Sequence, residues 1–266
     1  MDKVSNALTE FREMDELAAL RSPIHSLHPL GKLLMTILYI ALVVSVPRYA
    51  LSRLMIFILY PAVMFTLSGI PVGLCFYKLR IVLPLVCAVG LFNPFLDKAP
   101  MLYLGGLVVS GGVISMVTLM LKGVFSLTAS FLLVATTSMD SLCAALRKIH
   151  VPSVVVTLLL LTYRYISLLL EQVGVMSEAY ALRAPGQKGI HISAWGSFLG
   201  QLFLRSMDRA EELYSSMQLR GFRGEFAYAD SKRWTGADTV FVLVCGVVLL
   251  GFRYFDLAGQ LGGLFL

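Results

Sequence analysis

Two stretches decide how this chain folds: Tyr180-Ala181-Leu182-Arg183-Ala184-Pro185-Gly186 and Met217-Gln218-Leu219-Arg220-Gly221-Phe222. In each, an amphipathic run stops at Leu-Arg, and a residue that breaks helices follows. Both belong to segment 138–236, a long amphipathic insert in a chain that is otherwise strongly apolar. Because membrane-spanning helices rarely carry a large helical insert without a protein partner, we expect the function of the chain to lie in this segment.

The composition predicts an integral membrane protein. Of the 266 residues, 58% are hydrophobic and 14% are charged, whereas a soluble domain is about 45–50% apolar. Several apolar runs approach the ~20 residues that a membrane-spanning helix needs. Residues 1–23 carry eight charged side chains, which argues against a cleavable signal peptide and predicts a cytosolic N-terminal arm.

Several classes of function are excluded by what the sequence lacks. The net charge of +6 comes without a basic run interleaved with aromatics, so nucleic acid is not an expected partner. No P-loop, H-E-x-x-H or G-x-S-x-G motif is present, so we expect no ATP site, no catalytic residues and no enzymatic activity in this chain. His25 and His28 lie three residues apart, but two histidines without further ligands make a poor metal site. The four cysteines show no C-x-x-C pairing and are expected to be buried free thiols.

Five apolar runs predict an all-α, polytopic membrane protein. They cover residues 30–46, 50–70, 81–96, 113–136 and 237–256. Lys32, near the start of the first run, is expected to extend to the membrane interface. Pro61, inside the second run, is expected to be tolerated because a neighbouring group satisfies the carbonyl that it frees. Stretch 97–112 contains four glycines and is expected to form a loop or re-entrant turn.

The basic residues set the predicted topology and domain division. Segment 138–236 holds half of the 22 Lys and Arg residues, so the positive-inside rule places it and the N-terminus in the cytoplasm. The predicted protein is multi-pass in the cell membrane (inner or plasma). Its predicted divisions are an arm with four spans over 1–137, a cytoplasmic helical domain over 138–236, and a final span with its tail over 237–266.

A sixth span remains an alternative. Stretches 154–161 and 166–170 are very apolar, but Arg164 lies between them, where a charge is costly in lipid. We therefore expect a helix partly buried among the others. A sixth span would move the C-terminus to the cytoplasmic side.

The insert is predicted to contain three helices, over about 141–147, 153–183 and 193–220. The third has an apolar stripe formed by Phe203, Met207, Ala210, Tyr214 and Met217, which is expected to pack within the protein. Consecutive helices joined by a short turn usually run antiparallel. The two helix-ending arginines should therefore lie tens of ångströms apart. This separation suits two separate binding sites on a two-subunit partner.

Local helix chemistry offers an alternative explanation for Arg183 and Arg220. A cation near a helix C-terminus is favoured by the terminal carbonyls and the helix dipole, by about 0.3–1 kcal/mol. Gly221 is well placed to terminate the third helix, since glycine adopts the left-handed conformation without strain. On pattern alone, both explanations stay open.

The sequence resembles the transmembrane (T) components of energy-coupling factor (ECF) transporters, the EcfT/CbiQ family. The resemblance covers most of the chain from about Ser22. It rests on residues 28–33 (His-Pro-Leu-Gly-Lys-Leu), Phe92-Asn93-Pro94, Ala135-Thr136-Thr137, residues 146–152, Tyr163-Arg164-Tyr165-Ile166, Glu171 and residues 205–224.

The resemblance implies a scaffold of spans with long cytoplasmic coupling helices. In the family, two such helices each end in a motif, typically Ala-Arg-Gly, whose arginine docks in a groove of one ABC-type ATPase. Carried over, the motifs are Leu182-Arg183-Ala184 and Leu219-Arg220-Gly221. Leucine replaces alanine in both, and alanine replaces glycine in the first. The resemblance implies two ATPase subunits that bind the ATP, with no cofactor in this chain.

The resemblance also implies a partner for the cargo. A separate substrate-binding membrane subunit would hold the substrate, and the lipid bilayer surrounds both. The sequences of the third helix and of the Phe92-Asn93-Pro94 stretch are most similar to the cobalt/nickel branch, so cobalt or nickel uptake is the leading expectation. The alternatives are a vitamin-type ECF transporter, or a stand-alone membrane carrier or enzyme with a cytosolic insert.

Overall fold

The computed structural model describes residues 2–80, 82–91, 100–104, 107–187, 189–222, 224 and 234–254. The fold is all-α, as predicted, apart from one short hairpin. The Phe92-Asn93-Pro94 stretch lies outside the described residues. The elements are α1 (Asp2–Ala18), α2 (Pro23–Ser26), α3 (Pro29–Ser45), α4 (Leu51–Ile56), α5 (Leu59–Ser68), α6 (Val72–Leu79), α7 (Leu83–Leu91), β1 (Pro100–Leu104), β2 (Leu107–Ser110), α8 (Gly111–Thr136), α9 (Met139–Lys148), α10 (Ser153–Arg183), a 3-10 turn (Ile192–Ala194), α11 (Trp195–Leu219) and α12 (Gly236–Tyr254).

Several helices are long and apolar enough to cross a membrane. Among the described residues, α8, α10, α12 and the α4–α5 pair over Leu51–Ser68 qualify, and the pair α6–α7, bent by 62°, makes a fifth if its two helices form one broken span. Helix α3 is apolar over 17 residues, at the lower end of the spanning range. Because α10 is in this set, length and composition are compatible with the five-span arrangement and with its six-span alternative.

The chain forms two compact units. The first, here called the insert unit, combines residues 1–16 with 138–231. The second, here called the span unit, combines residues 17–137 with 232–266. The N-terminal helix α1 therefore belongs mainly to the same unit as the long helices α10 and α11.

The second span of the span unit is broken near Pro61. Helix α4 ends at Ile56 and α5 begins at Leu59. Since proline has no N–H, the carbonyl of Phe57 loses its usual helical donor. The buried Tyr39 hydroxyl donates to this carbonyl oxygen at 3.0 Å, and the Tyr39 ring stacks on Tyr60 with centroids 4.5 Å apart. The expectation that a neighbour satisfies the freed carbonyl is confirmed.

An antiparallel hairpin occupies most of the stretch expected to be a loop or re-entrant turn. Strands β1 and β2 pair from Pro100↔Ser110 to Leu104↔Leu107. The expectation was wrong because it weighted the glycines alone. Val108 and Val109 favour extended backbone, as β-branched residues do.

Lys122, in the middle of α8, makes hydrogen bonds to the C-terminal end of another helix. Its ammonium donates to the backbone carbonyl of Val44 at 2.9 Å and also to that of Val46. Helix α3 ends at Ser45, so these carbonyls belong to a helix terminus that lacks internal donors. The positive charge also complements the negative end of the helix dipole.

The insert unit is held by a small apolar cluster and by α1. Cys143 of α9 packs with Val156 and Leu160 of α10. Burial raises the pKa of the Cys143 thiol, and nearby Asp140 shifts it in the same direction. Helix α1 contacts α10 through three pairs: Arg12–Glu171 at 3.0 Å, Tyr163 hydroxyl to Asp15 at 2.5 Å, and the rings of Phe11 and Tyr163 at 4.7 Å.

Candidate docking site

The two predicted docking motifs, Leu182-Arg183-Ala184 and Leu219-Arg220-Gly221, are here called the first and second tips. The first tip lies at the end of α10. Arg183 is the last helical residue, and Ala184 is the C-cap, whose N–H donates to the Tyr180 carbonyl at 3.0 Å. Pro185 cannot continue the helix because it has no N–H to donate. The Arg183 side chain is exposed, and Leu182 beside it is 84% exposed.

The second predicted tip lies at the end of α11 and is terminated differently. Arg220 is itself the C-cap, and Gly221 follows with a φ of +81°. The N–H of Gly221 donates to Gln218 and that of Phe222 to Met217, both at 2.9 Å. This pair of bonds is a Schellman motif, which requires the left-handed residue that glycine supplies. The prediction that Gly221 terminates this helix is confirmed.

The two tips share one arrangement. Each presents an arginine at a helix end, directly after an exposed leucine, and Leu219 is 90% exposed. Within the described part of the chain, neither guanidinium makes a hydrogen bond or ion pair. In particular, neither donates to the terminal carbonyls of its own helix. The local-capping explanation for these arginines therefore has no direct contact to support it, although the helix dipole still favours them.

The apolar stripe of α11 is largely uncovered, and the expectation that it packs within the protein was wrong. Phe203 is 63% exposed and Tyr214 is 56% exposed. The buried or half-buried side chains of α11 instead include Phe198, Leu202 and Leu213. A period of 3.6 residues reveals an apolar face, but it does not reveal which molecule covers it. We call the residues Leu199, Phe203, Met207, Ala210 and Tyr214 the open face of α11.

The two histidines considered as metal ligands make hydrogen bonds within the chain instead. The ring of His25 contacts the Ser22 hydroxyl at 2.7 Å and the Leu17 carbonyl at 3.0 Å. Nδ1 of His28 accepts the N–H of Leu30 at 3.1 Å. Among the described residues, no group of three or more His, Cys, Asp or Glu side chains is arranged to hold a metal ion.

Two buried polar residues of the span unit make contacts that the sequence interpretation did not predict, and the expectation that Lys32 extends to the membrane interface was wrong. Lys32 is 2% exposed and does not extend to an interface, because its ammonium donates to the backbone carbonyl of Thr136. Asp238, near the start of α12, is also buried and accepts the backbone N–H of His28. Thr136 and His28 lie more than a hundred positions from Lys32 and Asp238 respectively, so no local pattern could reveal these two contacts.

Comparison with known proteins gives matches over most of the chain. Residues 21–229 match CbiQ, the cobalt transport protein family. This range includes both tips. The chain is 26% identical to the energy-coupling factor transporter transmembrane protein EcfT of Bacillus subtilis, over 88% of this chain and 94% of the relative.

Two other relatives match over shorter stretches. The nickel permease LarQ of Lactiplantibacillus plantarum is 30% identical over 37% of this chain and 36% of the relative. An uncharacterized protein of Methanocaldococcus jannaschii is 29% identical over 54% of this chain and 50% of the relative. The chain thus spans about a third of the length of LarQ and about half of the length of the Methanocaldococcus jannaschii protein.

Proposed function

Because this chain belongs to the CbiQ/EcfT family, whose members are transport components and not enzymes, we propose that it is the coupling subunit of an ECF-type importer. Two ABC-type ATPase subunits bind and hydrolyse ATP, and a separate membrane subunit binds the substrate. This chain binds no cofactor of its own. It carries the motion of the ATPases through the membrane-bound complex.

The observation that carries this proposal is the exposure of both arginines at helix ends. A planar guanidinium has five donors and suits forked contacts to carboxylates in a partner groove. Leu182-Arg183-Ala184 docks in one ATPase and Leu219-Arg220-Gly221 in the other. The predicted separation of the two tips by tens of ångströms belongs to this proposal, since each socket takes one tip.

The lengths of the two helices support a mechanical role. Helix α10 has 31 residues and α11 has 25, which correspond to about 46 and 37 Å at 1.5 Å per residue. A displacement applied at a tip therefore reaches the far end of each helix, where other subunits can respond. The free energy transferred in this way is a coupling between sites and involves no chemistry in this chain.

The open face of α11 is the proposed contact for the substrate-binding subunit. Apolar side chains at spacings of three and four residues suit a partner helix laid along the same face. Met207 lies near its middle, and methionine adapts to surfaces that must repack. An apolar partner that itself lies in the membrane fits this face better than a soluble protein does.

Cobalt or nickel is the proposed cargo. Support comes from the family, described as cobalt transport proteins, and from the similarity to a relative named a nickel permease. The EcfT relatives match far more of the chain, and their names specify no cargo, so a vitamin-type importer is the second candidate.

In either case the N-terminus and segment 138–236 face the cytoplasm of the cell that carries the complex.

Purification of the tagged chain from its own cells tests the proposal. We expect two ATPase subunits and a small membrane protein to co-purify. ATP-dependent uptake of Co²⁺ or Ni²⁺ should require all of these subunits in proteoliposomes. Transport by the purified single chain would instead support a stand-alone carrier and contradict the proposal.

A further inference from the structure

The chain passes between the two units at three places: after residues 16, 137 and 231. Within the span unit, one short segment contacts the chain beside each of these crossings. This segment, residues 25–32, is here called the anchor. It supplies His25, His28 and Lys32, which are all buried.

The first crossing is held by His25. This crossing falls within the last turn of α1, where Leu17 is the first residue of the span unit, and the Leu17 carbonyl oxygen lies 3.0 Å from Nε2 of His25. A carbonyl only accepts, so Nε2 carries the proton and donates. Nδ1 then accepts the hydroxyl proton of Ser22 at 2.7 Å. Both ring nitrogens are thus satisfied, and the ring is fixed in one orientation.

The second crossing is held by Lys32. Its ammonium donates at 2.6 Å to the carbonyl oxygen of Thr136, the last residue of α8 and the one before Thr137. Carbonyls in the last turn of a helix lack internal donors, and the helix dipole favours a cation there. Lys32 therefore fixes the end of α8 immediately before the chain leaves the span unit.

After the third crossing, the described chain from Trp234 onward is held through Asp238. Its Oδ1 accepts the backbone N–H of His28 at 2.7 Å. Its Oδ2 accepts the backbone N–H and the hydroxyl of Thr235, each at 2.7 Å. The ring of His28 also lies 5.2 Å from that of Trp234, the first described residue after this crossing.

We infer that the anchor fixes the chain on the span-unit side of all three crossings so that motion of the insert unit is transmitted to the rest of the complex. The inference rests on the proposed function. Without fixed crossings, a displacement of the long helices would be absorbed by local rearrangement of the connecting chain. Buried charged groups resist such rearrangement, because breaking their hydrogen bonds leaves them unpaired away from water. Lys32 is thus a positioning residue for transport.

The test compares Lys32→Met with Lys122→Met. Each substitution removes an ammonium that donates to backbone carbonyls at the C-terminal end of a helix in the span unit. Only Lys32 lies beside a crossing. Spin labels carried by non-canonical amino acids at Ile58 and Val175, both exposed, would report distances in the full complex before and after addition of ATP.

We expect ATP to shift the label distance in the unsubstituted complex and in Lys122→Met. In Lys32→Met, the fraction of molecules that shift should fall by about fivefold, a typical allosteric coupling factor, while ATP hydrolysis is retained. An equal shift in Lys32→Met and the unsubstituted complex would overturn the inference alone. An equal loss in both lysine variants would also overturn it. No shift in the unsubstituted complex would overturn the proposed function as well.

Asp238→Asn covers the case in which Lys32→Met fails to assemble. It keeps the side-chain shape and leaves one oxygen to accept a hydrogen bond. A reduced ATP-driven shift in this variant supports the inference, and a full shift contradicts it. Failure of both variants to assemble would also contradict it, because the anchor would then be a requirement for folding only.

Discussion

The backbone N–H of Phe222 donates to the carbonyl of Met217 at 2.9 Å and closes the turn that leaves Arg220 at the exposed end of α11. Because this bond forms only when Gly221 adopts its positive φ, the position of the arginine depends on the backbone conformation of the glycine that follows it. At the end of α10, the position of Arg183 depends instead on Pro185, which stops the helix. The two arginines thus reach similar exposure through different helix terminators.

Replacing Gly221 with alanine should loosen the second tip. The residue has a φ of +81°, and alanine in that conformation costs about 1 kcal/mol. We expect a lower thermal stability and weaker binding to one ATPase. Gly200→Ala is the matched control, since a Cβ there meets nothing within 4 Å and alanine favours a helix interior by up to about 1 kcal/mol. Equal melting temperatures for the two variants would contradict this account.

Removing the Tyr39 hydroxyl should destabilise the span unit. Tyr39→Phe leaves the Phe57 carbonyl without its donor, which should cost about 1 kcal/mol. Pro61→Ala restores the helical N–H, so Tyr39→Phe should cost less in that background. A double-mutant cycle on unfolding in detergent measures the difference, and additivity of the two substitutions would show that the carbonyl does not link them.

Charge on the open face of α11 should release the substrate-binding subunit. Phe203→Glu places a carboxylate on an exposed position, so the isolated chain should unfold at nearly the same temperature. In the complex the same carboxylate would be desolvated, and the substrate-binding subunit should no longer co-purify, whereas the ATPases should. Phe198→Glu is the contrasting variant because Phe198 is buried; it should destabilise the chain itself.

Much of the helical architecture was predictable because strong local signals mark its ends. Pro152 precedes α10 and Pro185 follows it, and the predicted range 153–183 agrees with Ser153–Arg183. Gly221 likewise marked the end of α11. Proline and glycine act on their own backbone, so these boundaries do not depend on tertiary contacts.

Features that depend on distant or external partners were not predictable. Lys32 looked like an interfacial lysine, but its acceptor lies 104 residues away. The stripe of α11 looked like a packing face, yet periodicity is the same whether the covering surface is in this chain or another. The hairpin at β1–β2 was missed because glycines signal both loops and tight turns.

The most direct test of the central claim is a double charge reversal, Arg183→Glu with Arg220→Glu, followed by purification of the complex. Each lost charged contact should cost at least about 2 kcal/mol, or about thirtyfold in affinity. We expect both ATPases to be lost and uptake to stop. The exposed pair Arg205→Glu with Arg209→Glu, which changes the charge equally, should retain both ATPases. Normal assembly and uptake in the Arg183/Arg220 variant would contradict the account.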